Sequence, residues 1–118
     1  MDIRLKTEPF ELNGKVYDLC CNMNVLADVQ EAFDGDFMSA LRNPAALKTA
    51  LAFLAAMLND CADTNGWPER FTAKELGRII PATPTEIRKL TGVVALLVTS
   101  SIMADKTADQ EEAAEEKN

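Results

Sequence analysis

Three cysteines are the first side chains in this sequence that could bind a metal or act as nucleophiles. They are Cys20, Cys21 and Cys61, an odd number of which two are adjacent. Neighbouring cysteines form a disulfide only with strain, and the chain has no histidine to complete a metal site. The pattern therefore predicts no metal site and three reduced thiols that pack as small hydrophobic side chains.

The sequence also lacks the usual parts of a catalytic site. Without histidine, the commonest general base is missing. None of the serines has a glycine elbow around it or a lysine three residues later; they are Ser39, Ser100 and Ser101. The five glycines are too dispersed for a phosphate-binding loop. We therefore expect a protein that is not an enzyme and binds no cofactor.

Length, composition and charge limit the remaining classes of protein. The 118 residues suffice for one domain with a core, and 47% hydrophobic residues are typical of a globular protein. The net charge of −7 argues against a nucleic-acid or anionic membrane surface as partner. The most apolar run, residues 45–58, would span only about 21 Å as a helix, which is short of a bilayer core. No signal-peptide pattern opens the chain.

The stretch FELNGKVYDL, residues 10–19, predicts a β-hairpin within residues 8–20. Asn13 and Gly14 suit a type I′ turn, which requires positive φ at both positions. Pairing outward from this turn places Phe10 opposite Tyr17. One face of the hairpin carries Phe10, Leu12, Tyr17 and Leu19, with Lys15 opposite Leu12. Because two strands alone are marginal in water, this apolar face is expected to lie on a helical core as a lid.

A central helix is expected over roughly residues 44–62, with Pro44 in its first turn. Two apolar stripes run along it. The first comprises Leu47, Leu51, Leu54, Leu58 and Cys61, and the second Ala46, Ala50, Phe53 and Met57. Apolar residues therefore cover more than half of its circumference, which predicts neighbours on two sides and leaves room for a second chain as one of them.

Capping signals predict the other helices. The first is capped by Asn22 or Asn24 and ends at Gly35, and a short one follows from Asp36. Two capping boxes, Thr72 with Glu75 and Thr83 with Glu86, open a helix that ends before Pro81 and a longer one that runs to about residue 104. The fold class is therefore mainly α, with the hairpin packed on a bundle of about four to five helices.

The last fourteen residues differ in character from the rest. Residues 105–118 carry six acids and two lysines, which is −4 of the total −7, and no apolar residue larger than alanine. Such a segment cannot offset the entropy of ordering. We expect one helical domain over residues 1–104 and a frayed or disordered acidic tail over residues 105–118.

Trp67, the one tryptophan, lies in a loop near Phe71. It could plug a helix junction with its N–H on a carbonyl, or it could serve as a binding anchor. The sequence favours the first interpretation, because large aromatic residues are more often packed inside.

Read in order, these segments resemble the tail assembly chaperones of long-tailed bacteriophages. The resemblance rests on the hairpin pattern F-x-L-N-G-K-x-Y-x-L, followed by Asn24-x-Leu26 and by Glu31, Phe33 and Gly35. It is best over residues 8–41. Beyond them the helical architecture and the acidic tail are similar.

The resemblance implies a protein that binds the long helical tape measure protein before tail tube subunits polymerise around it. Such chaperones act in the host bacterial cytoplasm and are absent from the finished virion. The family is commonly made in two lengths through a ribosomal frameshift, and the short, non-frameshifted form is similar to this chain. The tape measure protein is thus the implied partner, with the tail tube protein and a second copy of the chain as further candidates.

A chaperone for helices needs apolar surface that can meet another helix. The residues expected to contact a partner or a second copy are Phe37, Met38, Leu41, Phe53 and Met57. The alternative is that all five lie in the core.

Two other functions fit a small helical protein of this kind. One is a ring-forming head–tail connector, a structural phage protein that remains in the virion. The other is a small cytosolic helical adaptor unrelated to phages. Mass spectrometry of purified particles distinguishes the chaperone from the connector, and the neighbouring genes bear on the adaptor.

Overall fold

A computed structural model of the chain describes residues 6–33 and 36–116, with side chains described as far as Ser101. The fold is mainly helical, with an N-terminal antiparallel hairpin packed on the helices, as predicted. The described elements are β1 (Thr7–Leu12), β2 (Lys15–Cys20), α1 (Met23–Ala32), α2 (Phe37–Arg42), α3 (Leu47–Thr64), α4 (Ala73–Ile79) and α5 (Pro84–Glu116).

The hairpin has the predicted turn and register. Asn13 and Gly14 both have positive φ, 53° and 77°, and Phe10 pairs with Tyr17. The predicted apolar face, Phe10, Leu12, Tyr17 and Leu19, is buried against the helices. Val16, on the other face, is exposed. The prediction that the hairpin covers the core as a lid is confirmed.

Helix α3 is the centre of the fold, because α1, α4, α5 and β2 all pack against it. Its buried residues include Phe53, Leu54, Met57 and Leu58, which accounts for the two apolar stripes. Within residues 6–33 and 36–116, no helix combines the length and the hydropathy that crossing a membrane requires.

The predicted start of α3 at Pro44 is wrong. The Asn43 carbonyl accepts a hydrogen bond from the Ala46 N–H at 3.3 Å, which places Pro44 in the second position of a turn. Ala46 is then the N-cap residue of α3, in an extended conformation. Asn and Pro are as well suited to the first two positions of a turn as Pro is to a helix start. The chain must be redirected between α2 and α3, and the turn does this.

The predicted caps are largely confirmed. The side chain of Asn22 accepts from the Val25 N–H at 3.0 Å. The hydroxyls of Thr72 and Thr83 accept from the backbone N–H of the glutamates three residues later, at 3.1 and 3.2 Å. Asp36 is the N-cap residue of α2 but makes no side-chain capping bond. Helix α1 ends at Ala32, and the predicted stop at residue 35 lies outside the described residues.

Helix α5 packs on α3 and β1 through its first half, where Leu90, Val94, Leu97 and Val98 are buried. Its backbone is helical as far as Glu116. The expected acidic tail thus coincides with the end of this helix, in a segment rich in the strong helix formers Ala, Glu, Gln and Lys. That these residues are frayed or disordered in solution stays a prediction.

Candidate functional site: an alanine-floored groove

A groove of about 450 Å³ opens along one face of α3, between α1 and α4. Its floor is formed by Ala52, Ala55, Ala56 and Asn59, which follow the spacing i, i+3, i+4, i+7 and so form one helical stripe. One wall comes from α1, through Asp28, Glu31 and Ala32, and the other from Ala73 at the start of α4. Ala55 and Ala56 are buried in the core, and Ala52 and Asn59 are half-buried, so the groove is shallow.

Among the described residues that line the groove, the two charged ones are both acidic. Asp28 and Glu31 are exposed and lie one turn apart on α1. Within the described part of the chain, neither carboxylate has a lysine or arginine nitrogen within 4.0 Å. The described residues of the groove therefore place two negative charges on its α1 side.

Small side chains on the floor determine how closely other elements approach α3. Helices pack at an interaxial distance of about 8–10 Å that depends on the side chains at the contact, and alanine permits the close end of this range. The helices α1 and α4 of the chain itself pack on α3 beside these alanines, which is why Ala55 and Ala56 are only 6% and 4% exposed.

The five residues predicted to contact a partner differ in their exposure to solvent. Met38 is 59% exposed, whereas Phe37 and Leu41 are half-buried and pack against the core. Phe53 and Met57 are both 0% exposed. A partner could reach these last two only if the helices separated, so we keep only Met38, Phe37 and Leu41 as candidate contacts of the folded protein.

Sequence reasoning missed the groove. It assigned partner contact to Phe53 and Met57 because large side chains dominate interfaces. A signal was nevertheless present, in the third stripe of α3 that runs from Ala52 to Asn59 and contains only small or polar residues. Its alanines are small enough that a shallow groove remains between α1 and α4 although Ala55 and Ala56 themselves are buried.

A second group of residues ties the hairpin to the loop after α3. We call Lys15, Tyr17, Trp67, Glu69 and Phe71 the hairpin–loop cluster. Oε2 of Glu69 accepts from Lys15 Nζ at 2.7 Å and from the Tyr17 hydroxyl at 2.8 Å. The Lys15 Nζ also lies 3.5 Å from the centroid of the Trp67 ring. The Tyr17 ring meets the rings of Trp67 and Phe71 edge to face.

These contacts shift two pKa values in opposite directions. The hydrogen bond from Lys15, followed by that from Tyr17, lowers the pKa of Glu69 from 4.5 to about 2. Burial, followed by the hydrogen bond to Glu69, raises the pKa of Tyr17 from 10.0 to about 12. At neutral pH Glu69 is therefore charged and Tyr17 protonated, which are the forms that the hydrogen bonds need.

The position of Trp67 favours the packing interpretation. Its half-buried ring is held between Lys15 and Tyr17 at the junction of hairpin and loop. The expected hydrogen bond from the indole N–H to a carbonyl is not seen among the described residues. Its role is therefore to hold the loop, through ring contacts rather than through the N–H.

The cysteines are free and largely buried. Cys21 and Cys61 are buried and Cys20 is half-buried. Burial is the main cause that raises the pKa of Cys21, to about 11, and it raises the pKa of Cys20 as well. Thiols with raised pKa values are poor nucleophiles at neutral pH. Within the part of the chain that the structure describes, no three Cys, Asp or Glu side chains group as metal ligands would.

We compared the chain with known protein families, curated proteins and solved structures. No family model, curated protein or solved structure matches the chain. The function must therefore be argued from the groove, the fold and the sequence pattern.

Proposed function

We propose that this protein is a tail assembly chaperone of a long-tailed bacteriophage, in its short, non-frameshifted form. It binds the helical tape measure protein in the host cytoplasm, promotes assembly of the tail tube, and is absent from the finished virion. The observation that carries the proposal is the sequence pattern of residues 8–41, whose hairpin has the turn and register that this pattern predicts. The resemblance over these residues supplies the tape measure protein as the partner.

Charge supports the same role. A protein that keeps apolar helices in solution must itself resist association, and the net charge of −7 opposes self-association of the folded protein. Six of the acids lie in residues 105–118, beyond the buried part of α5. The exposed side chain of Met38 adds an adaptable apolar contact outside the groove.

Co-expression with the tape measure protein tests the proposal. The probe is the protein of the long helix-rich reading frame expected downstream of this gene. We expect that frame to be soluble and to co-purify with the chain, and to be insoluble without it. A tape measure protein that is equally soluble alone and fails to co-purify would contradict the proposal.

Purified phage particles give a second, independent test. Quantitative mass spectrometry should detect no copies of the chain in tailed particles, while detecting the tail tube protein readily. Presence of the chain at a fixed ring stoichiometry would instead indicate the head–tail connector.

A further inference from the structure

We infer that a pocket at the start of α3 binds a compact oxyanion, a phosphate or carboxylate group. The pocket, which we call the α3 pocket, has a volume of about 400 Å³ and lies between the end of α1, the short helix α2 and the first turn of α3. Among the residues that line it are Asp36, Arg42, Ala46 and Thr49. The inference goes beyond the proposed function and does not depend on it.

The first turn of α3 leaves three backbone N–H groups without an acceptor. A helix cannot pair its first N–H groups internally, and a side chain at the N-cap position usually accepts from one of them. In α3 this position is Ala46, whose methyl group cannot accept a hydrogen bond. The N–H groups of Leu47, Lys48 and Thr49 make no hydrogen bond to any described residue. These donors, together with the partial positive charge of the helix end, favour an anion as their acceptor.

The hydroxyl of Thr49 is a second, independent observation that indicates a ligand. Thr49 is only 7% exposed, and its hydroxyl makes no hydrogen bond to a described residue. Within the described part of the chain, every fully buried side-chain nitrogen or oxygen has a hydrogen-bond partner. The Thr49 hydroxyl is therefore not fully buried, and the α3 pocket, which Thr49 lines, is where it is reached. A buried hydroxyl without a partner is thus available to a molecule in this pocket.

The charges around the α3 pocket favour an anion. Arg42 lies at the end of α2, is exposed and forms no ion pair with a described carboxylate. A guanidinium can donate to two oxygens of one phosphate or carboxylate group. Asp36 also lines the pocket and opposes an anion. Arg42 and about half a positive charge at the helix end together outweigh this single carboxylate.

The size of the α3 pocket allows more than an isolated ion. A volume of about 400 Å³ lies near the lower end of the range for pockets that bind small molecules, about 300–1,000 Å³. The half-buried ring of Phe33 lines the same pocket and offers an apolar contact. The pocket can therefore hold the oxyanion together with a small organic group.

Titration of the isotope-labelled full chain with sodium phosphate tests the inference by NMR. We expect saturable shifts of the amide resonances of Leu47, Lys48 and Thr49, whereas sodium chloride of equal ionic strength should not produce them. A parallel titration with sodium acetate distinguishes the two groups, since the tighter ligand identifies phosphate or carboxylate. If neither anion shifts these amides, or if the shifts occur only elsewhere in the chain, the inference is overturned.

Two variants remove single donors from the α3 pocket. Thr49→Val removes the hydroxyl at nearly constant volume and should weaken binding of the tighter anion at least fivefold. Arg42→Gln should weaken it about fivefold, the upper range for an exposed charge pair. The matched control is Arg70→Gln, because Arg70 pairs with Asp63 at the other end of α3, about 24 Å along the helix from its start. The control should change affinity less than twofold, and equal losses in Arg42→Gln and Arg70→Gln would contradict a site at the start of α3.

A third variant tests the sign of the charge that binds. Asp36→Asn removes the one acidic side chain among the described residues that line the α3 pocket, and it should tighten binding of the anion severalfold. Weaker binding in this variant would show that the pocket favours positive charge, which would overturn the inference.

A carboxylate built into the helix start should compete with the ligand. Ala46 has the extended backbone that an N-cap residue needs, so the side chain in Ala46→Asp can accept from the free N–H groups of the first turn. This variant should abolish anion binding and raise the midpoint of thermal unfolding by about 2–8 °C. Stabilisation with unchanged anion binding would place the anion elsewhere and overturn the inference. The result is distinguishable from that for the proposed function, because co-purification of the tape measure protein is measured separately and requires no anion.

Discussion

Asn59 and Phe71 exchange two hydrogen bonds although they are twelve residues apart. Nδ2 of Asn59 donates to the Phe71 carbonyl at 2.8 Å, and the Phe71 N–H donates to Oδ1 of Asn59 at 2.7 Å. One amide side chain thus satisfies both polar groups of a loop residue, as a neighbouring strand would. Because Trp67 and Glu69 precede Phe71 in this loop, the pair holds the loop side of the hairpin–loop cluster against α3.

Removing this pair should destabilise the fold. Asn59→Ala leaves the N–H and carbonyl of Phe71 without partners in a part-buried position, and we expect the free energy of unfolding to fall by about 1–3 kcal/mol. Urea denaturation followed by the fluorescence of Trp67, the single tryptophan, measures it. Asn24→Ala removes an exposed amide on α1 and should change stability by less than about 0.5 kcal/mol. Equal losses in the two variants would contradict the role of the pair.

Acid stability should depend on Glu69. Its pKa is lowered in the folded state, so the stabilisation it provides is present above its unfolded value of 4.5 and is lost as the pH falls towards about 2. The wild type should therefore be more stable than Glu69→Gln at neutral pH, and the difference should shrink across that window. Denaturant unfolding at a series of pH values measures the difference. Glu11→Gln, at an exposed position of the hairpin, is the control and should show no such convergence.

The single tyrosine supplies a second measurement on the same variant. Absorbance of the phenolate reports Tyr17 alone, whose pKa burial and the bond to Glu69 raise to about 12. In Glu69→Gln this pKa should fall towards 10.0 but stay above it, since burial is the larger cause. An unchanged Tyr17 titration in that variant would show that Glu69 does not act on Tyr17.

The parts of the fold that were predicted correctly are those determined by residues that lie close together in the sequence. Asn13 and Gly14 determine the hairpin turn, and alternation along the strands then fixes which face is buried. The hydroxyl of Thr72 caps its helix through a bond to a residue three positions away. Pro44 was placed wrongly because two local rules competed for it, a helix start and a turn.

The groove could not be predicted because it depends on which side of α3 its neighbours leave open. A helix that is apolar around most of its circumference does not itself indicate which stripe is covered. Packing of α1, α4, α5 and β2 buried the stripe with Phe53 and Met57 completely and left Ala52 half-buried in the groove. The Asn59–Phe71 pair could not be predicted from the sequence either, because the distance between these two residues is determined only by the fold.

The exposure of the predicted contact residues leads to opposite expectations for two variants. Phe53→Ala removes a fully buried ring and should cost about 3–5 kcal/mol of stability. Met38→Ala changes a side chain that is 59% exposed and should alter stability by less than about 0.5 kcal/mol. Thermal unfolding measures both, and co-purification with the tape measure protein then shows whether Met38 contributes to binding. A large loss of stability in Met38→Ala would place this side chain in the core instead.

Substitution of two glycines by alanine should change the stability of the protein in opposite directions. Gly14 has a φ of 77° and nothing within 4 Å of an added Cβ, so Gly14→Ala should cost about 1–2 kcal/mol through the backbone alone. Gly92 lies on the exposed side of α5, also with nothing within 4 Å of an added Cβ, and Gly92→Ala should stabilise the protein by up to about 1 kcal/mol. Because neither substitution adds a steric contact, the sign of the stability change depends only on the backbone conformation at each glycine. Thermal unfolding of the two variants side by side measures it. Destabilisation by Gly92→Ala would contradict a regular helix at this point of α5, and a neutral Gly14→Ala would contradict the type I′ turn.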